Sequence, residues 1–136
     1  MVRLDPFAGP GFAALGALGK AVDGVDLPVG FVELVRLRCS QINGCTYCIR
    51  LHGEAAVAAG ETRDVSDWRT DPAFTEPERA VLALAEAVTL VHDGHVPDTV
   101  LDAAIHAIGE VRTQQVVWAA TVVNAYNRLA ISARLT

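Results

Sequence analysis

Hydrophobic positions recur at helical spacing along almost the whole chain, and no segment alternates apolar and polar residues as a strand would. Residues 28–43 carry a clear pattern. Phe31, Val32, Val35, Cys39 and Ile42 fall at helical spacing, Pro28 can open the helix, and Asn43-Gly44 can close it. A further helix is predicted to begin near Cys45 and to run through the small residues 55–59 until Gly60. Thr75-x-x-Glu78 is a capping box. It heads a helix striped by Val81, Leu84, Ala85, Val88 and Val91, which Asp93-Gly94-His95 breaks. Pro97 starts the next helix and Gly109 ends it. The last helix covers about residues 110–131, where Val116, Val117, Trp118, Val122, Val123 and Leu129 leave it apolar on more than one side. Such a helix lies in the core or is partly covered by a second subunit. Residues 10–22 predict a weak helix diluted by Gly11, Gly16 and Gly19, and residues 61–74 a loop with a short helical turn around Trp68. The expected fold is all-α, an irregular bundle of about six helices in one domain spanning 1–136.

Composition narrows the class of partner. The chain is 51% hydrophobic and 20% charged, which is globular, and its formal net charge of −5 argues against nucleic acid or an anionic membrane as the main partner. Lys20 is the only lysine, and the arginines are scattered. The uncharged run 6–19 is broken by Pro10 and by glycines, and Asp5 stands where a signal peptide would carry positive charge. The expected compartment is therefore the cytoplasm, a reducing one. There a C-x-x-C is more often catalytic or metal-binding than a structural staple.

The chemistry concentrates in Cys45-Thr46-Tyr47-Cys48-Ile49-Arg50-Leu51-His52. On a helix, residues three and four apart share a face, so Cys48 neighbours His52 and Cys45 lies one turn before Cys48. The break at Asn43-Gly44 puts Cys45 at a helix N-terminus, where free N–H groups and the helix dipole favour a thiolate. Two thiols and an imidazole at this spacing suit thiol–disulfide or thiol–peroxide chemistry. Dipole proximity favours Cys45 as the attacking thiol; the adjacent imidazole favours Cys48. A thioredoxin reading fails for want of a strand before the motif. Structural zinc would need a fourth ligand beside Cys45, Cys48 and His52. Cys39, the remaining cysteine, lies on the apolar stripe of another helix and reads as a core residue. No metal, flavin or other cofactor is expected.

The stretch from Glu33 to Gly60, with its Cys45-x-x-Cys48-x-x-x-His52 core, resembles the alkylhydroperoxidase D-like branch of the carboxymuconolactone decarboxylase family. Redox members of that family place a glutamate twelve residues before the first cysteine, and Glu33 stands there. Asn124-Ala125-Tyr126-Asn127-Arg128 resembles the asparagine–aromatic–asparagine–arginine signature of single-repeat members. The resemblance implies an all-α, usually oligomeric protein that reduces hydroperoxides at its cysteine pair. It implies Cys48 as the peroxide-attacking thiol, Cys45 as the resolving thiol, and His52 with Glu33 as a water-bridged proton relay. It implies as partners a small hydroperoxide, a dithiol reductant such as a lipoyl or thioredoxin-like protein, and further copies of the chain. Tyr47 stands where well-studied peroxidases of this type have histidine, and Tyr126 where relatives often have tryptophan.

Three rivals have different signatures. A thiol–disulfide exchange module would reduce insulin, and a non-catalytic helical interaction protein would capture a partner without turnover. A decarboxylase acting on a lactone acid would leave the cysteine pair unexplained. His92 and His95 read as turn residues in solvent, His106 as structural, and Trp68 and Trp118 as packing anchors, one under the long loop and one in the core or an interface. Asn124, Asn127 and Arg128 could bond either to helix ends or to a carboxylate near the site.

Overall fold

A computed structural model describes residues 3–136. Its described residues form six α-helices and no strand: α1 (Pro10–Val22), α2 (Val29–Asn43), α3 (Thr46–Ala58), α4 (Glu76–Thr89), α5 (Asp98–Ile108) and α6 (Glu110–Ser132). The boundaries follow local chemistry. Pro28 precedes α2, Thr75 and Glu78 close a reciprocal capping box at the start of α4, and Gly109 at φ 84° separates α5 from α6. The loop between α3 and α4 holds one turn of 3-10 helix, Val65–Asp67, just before Trp68.

Helices α2, α4 and α6 pack together, and α3 lies along α2. Their apolar stripes meet in one core that includes Leu34, Val35, Leu82, Leu84, Val116 and Val123. Burying a side chain of this size stabilises by roughly 1.5–3 kcal/mol, so this core holds α2, one wall of the site, in place. The start of α2 lies close against the turn that follows α3. A Cβ on Gly30 would sit 3.0 Å from the Glu61 Cβ and 3.4 Å from the Ala59 carbonyl oxygen. Trp68 anchors the long loop as expected. Its ring is 3% exposed, and its indole N–H donates to Glu86, which also accepts from Arg38 and Arg69.

Helix α6 differs between its faces. Val116, Ala119, Ala120, Val123, Asn127 and Ala130 are buried, whereas Val111, Trp118, Leu129 and Ile131 are exposed. Helix α1 is the peripheral element. Each of its residues keeps some exposure, and it lies against α6, with Gly16 facing the Tyr126 hydroxyl and Gly19 facing Val122. No helix among the described residues is long and apolar enough to cross a membrane.

Candidate active site

The α2–α3 junction is built to place two cysteines. Gly44 takes the left-handed conformation, φ 69°, that ends α2, and its N–H donates to the Gln41 carbonyl at 3.1 Å. The Cys45 N–H donates to the Ser40 carbonyl at 3.1 Å. Cys45 itself is the N-cap of α3, and its sulfur accepts from the Cys48 N–H at 3.3 Å. Cys45 and Cys48 are joined by a disulfide, with Cα atoms 5.2 Å apart, inside the usual range for the bond. Both are buried, at 1% and 4% exposure, with Tyr47, Ala130 and Leu135 packed around them.

A buried polar network fixes this junction against α6. Asn43, the last residue of α2, donates through its side-chain amide to Asn124 Oδ1 at 2.8 Å and to Asn127 Oδ1 at 2.9 Å. Asn124 in turn donates to Thr89 Oγ1, Asn127 donates to Ser40 Oγ, and Arg128 donates to Asn124 Oδ1. Between the two expectations for the asparagine–arginine signature, the bonds go to a helix end. Removing one member would leave buried partners unsatisfied at about 1–3 kcal/mol, so the entry to the cysteine pair is held rather than loosely looped.

His52 and Glu33 meet across the α2–α3 contact. Glu33 Oε2 lies 2.8 Å from His52 Nδ1, so the pair is joined directly and not through the water expected from the family pattern. The other carboxylate oxygen accepts from Arg36 Nη1 at 2.8 Å. Burial works against the charge on Glu33, but the hydrogen bond with His52 and the positive charge of Arg36 outweigh it and hold the carboxyl below its ordinary value. A carboxylate can only accept, so His52 donates from Nδ1, and in a neutral ring Nε2 is then the acceptor.

Cys48 and His52 line one cavity of about 230 Å³, and its walls are almost wholly apolar. Phe7, Phe12, Leu51, Tyr126, Leu129 and Leu135 supply most of that surface. The Phe7 and Phe12 rings meet edge-to-face at 4.8 Å, and Phe12 approaches Tyr126 at 6.3 Å. His52 and Tyr126 also line a second, more polar cavity of about 260 Å³ that includes Lys20, Asp23 and Arg36. The imidazole thus stands between an apolar chamber holding a sulfur and a polar chamber holding charges.

The sequence profile of the Carboxymuconolactone decarboxylase family matches residues 11–87, which contain the junction, both cysteines, His52 and Glu33. The chain belongs to that family. Among its relatives is the uncharacterized protein YdfG of Bacillus subtilis (strain 168), 31% identical over 104 residues, covering 74% of this chain and 71% of that protein. A crystallised protein of unknown function from Agrobacterium tumefaciens, provisionally described as the antioxidant defence protein AhpD, is 30% identical. The two folds superpose with a TM-score of 0.91, covering 100% of this chain and 97% of that one. The fold is that of the alkylhydroperoxidase D-like branch of the carboxymuconolactone decarboxylase family.

Within this family member, Cys39 is set apart from the other two thiols. It is fully buried in the main core, its Sγ 3.9 Å from the Ala85 carbonyl oxygen, and burial pushes its thiol up to about 11. It is expected to resist alkylation at pH 8 while the protein is folded, and Cys39→Ser is expected to leave oxidation of the other pair within about twofold, with a stability cost on the order of 1 kcal/mol. Mass mapping after iodoacetamide treatment checks the first statement; a tenfold loss of oxidation rate in a folded Cys39→Ser protein would overturn the second. Among the described residues no cluster of three or more His, Cys, Asp or Glu side chains is placed to hold a metal ion. His92, His95 and His106 are exposed and lie outside the cavities just described.

The hydrophobic pattern gave no sign of Phe7 and Phe12, because Phe7 lies in the short segment before α1 and Phe12 in a helix whose glycines dilute its period. Arg36 had a signal. It lies three residues after Glu33, the spacing of a helical ion pair.

Proposed function

We propose that this protein is a thiol-dependent peroxidase that reduces hydroperoxides through Cys48 and Cys45. The observation that carries the reading is the placement of Cys48 in one apolar cavity with His52, whose Nδ1 is engaged by Glu33. In the reduced form, His52 Nε2 takes the Cys48 thiol proton. The thiolate attacks the outer peroxide oxygen, the O–O bond breaks, and the proton passes from His52 to the departing oxygen. This gives Cys48 sulfenic acid and an alcohol, or water from hydrogen peroxide. Cys45 then displaces water from the sulfenic sulfur to form the disulfide. A dithiol, on a lipoyl or thioredoxin-like protein, reduces it in two exchange steps and is itself oxidised to a disulfide. Glu33 keeps His52 in the required tautomer. The cycle needs no further cofactor, and it belongs in a reducing compartment, the cytoplasm.

The test is peroxide consumption by the full chain with dithiothreitol as reductant, followed by intact-mass analysis. Turnover, and a loss of about two protons per chain mapped to Cys45–Cys48 after one equivalent of peroxide, support the reading. Insulin reduction without peroxide consumption would make the protein an exchange module instead. Self-association is part of the proposal, carried by the exposed Trp118, Leu129 and Ile131 on α6. A homo-oligomer, with a C2 dimer as its simplest form, should appear by light scattering at micromolar concentration. A lone 14.4 kDa species would refute it.

A further inference from the structure

The relay does not end at Glu33. The carboxylate divides its two oxygens between His52 and Arg36, and the guanidinium divides its two ends between Glu33 and Asp23, whose Oδ1 lies 2.6 Å from Arg36 Nη2. Asp23 is the C-cap of α1. An unbroken line of hydrogen bonds therefore runs from the imidazole beside Cys48, through α2, to the end of the peripheral helix.

The same helix and the segment before it wall both chambers. Phe7 and Phe12 close the apolar one over Cys48; Gly16, Gly19 and Lys20 border the polar one. Apart from this ion pair, α1 is held against the bundle by its contact with α6. Its glycines bring small apolar surface to that contact, Phe12 meets Tyr126 there, and the Asp23–Arg36 bond adds a polar tether at the C-terminal end of the helix. Arg36 suits the double duty because its planar fork can serve two carboxylates in fixed directions, which a lysine cannot.

We propose that Arg36 is a positioning residue that sets the Glu33 carboxylate against His52 and, through Asp23, ties the closure of α1 over Cys48 to the alignment of the relay. This rests on the relay reading given above. When α1 is docked, Arg36 has both partners, the carboxylate is fixed and Cys48 is covered. When α1 lifts, Arg36 loses one anchor and the cavity loses its Phe7 and Phe12 wall together. The charged and titratable groups around Glu33 are His52 from α3, Arg36 from α2, and Asp23 and Lys20 from α1. Helix α6 offers Tyr126 and apolar side chains on that side.

The test follows alkylation of Cys48 in the reduced full-length protein, resolved from Cys45 by peptide mapping, so it does not depend on peroxide being the substrate. Arg36→Met is expected to slow reaction with iodoacetamide about fivefold at pH 7 and to shift the acid limb of its pH profile upward, the loss of one charge-assisted hydrogen bond. Arg36→Lys should restore the pH profile in part, and Arg36→Met should add nothing in a Glu33→Gln background. Asp23→Asn should raise the rate with fluorescein maleimide relative to iodoacetamide about threefold, because the bulky reagent needs an open lid. If Glu33→Gln slows Cys48 and Arg36→Met does not, or if the two effects add, Arg36 has no positioning role and the relay reading stands. If Glu33→Gln itself leaves Cys48 reactivity unchanged, the relay reading fails and this proposal with it. An unchanged reagent ratio in Asp23→Asn would remove the link to α1.

Discussion

Cys48→Ser is expected to abolish rapid sulfenic acid formation, and Cys45→Ser to form it at Cys48 and stall there. Two effects compete for the role of attacking thiol. Cys45 sits at the N-cap of α3, where the helix dipole favours a thiolate. A dipole contributes about 0.3–1 kcal/mol, and up to about 2 when partly buried, which is at most roughly thirtyfold. Cys48 shares the cavity with His52, and a positioned base contributes roughly a hundredfold to ten-thousandfold. Cys48 also lies in the first turn of α3, so it keeps part of the dipole benefit. The base therefore decides. Dimedone trapping with mass mapping reads the outcome: the adduct should lie on Cys48 in Cys45→Ser and be missing from Cys48→Ser. An adduct on Cys45 in the latter, formed at the wild-type rate, would exchange the two roles.

Glu33→Gln and His52→Gln should each slow oxidation of Cys48 about a hundredfold while leaving the helical fold in place. His52→Gln removes the proton acceptor. Glu33→Gln keeps the shape of the side chain but removes the charge that fixes the imidazole tautomer and pairs with Arg36. The glutamine amide also offers a donor where His52 and Arg36 both present donors, so one of them must turn away. Both variants should retain the circular-dichroism spectrum and melting cooperativity of the parent, since the main core lies elsewhere around α2, α4 and α6. Stopped-flow oxidation rates equal to wild type in both variants would mean that proton transfer does not run through this pair.

The parts of the site legible in the sequence were the local ones. Cys45, Cys48 and His52 occupy successive turns of one helix, and helical spacing alone makes them neighbours. The N-cap position of Cys45 followed from Asn43-Gly44, and the structure puts the left-handed residue there. Glu33 was different. Its side chain meets His52 only because α2 and α3 run side by side, and no periodicity reports that. The family pattern located Glu33, and the packing of α2 on α3 makes the contact with His52 direct. On α2 itself, Val29 one turn before Glu33 is 71% exposed, while the Glu33 side chain is only 14% exposed. Glu33 is held where α3 brings His52 against one carboxylate oxygen and Arg36 of its own helix takes the other. The asparagine pair on α6 was visible as a signature, but its target, Asn43, lies more than eighty residues away and required the fold.

The shortness of the Cys45–Cys48 loop bears on how the chain folds. A cross-link stabilises a protein largely by removing freedom from the unfolded chain, and that gain grows with the logarithm of the loop it closes. A separation of three residues closes nearly the smallest loop a disulfide can, and the chain-entropy relation gives it only about 2 kcal/mol. That is a modest share of the roughly 5–15 kcal/mol by which domains are stable. The core of α2, α4 and α6 does not involve the bond, and Asn43, Asn124 and Asn127 hold the junction by hydrogen bonds that reduction leaves untouched. The chain is therefore expected to stay folded when the Cys45–Cys48 bond is reduced. Its thermal midpoint should fall by about 7 °C on reduction, with the transition still cooperative.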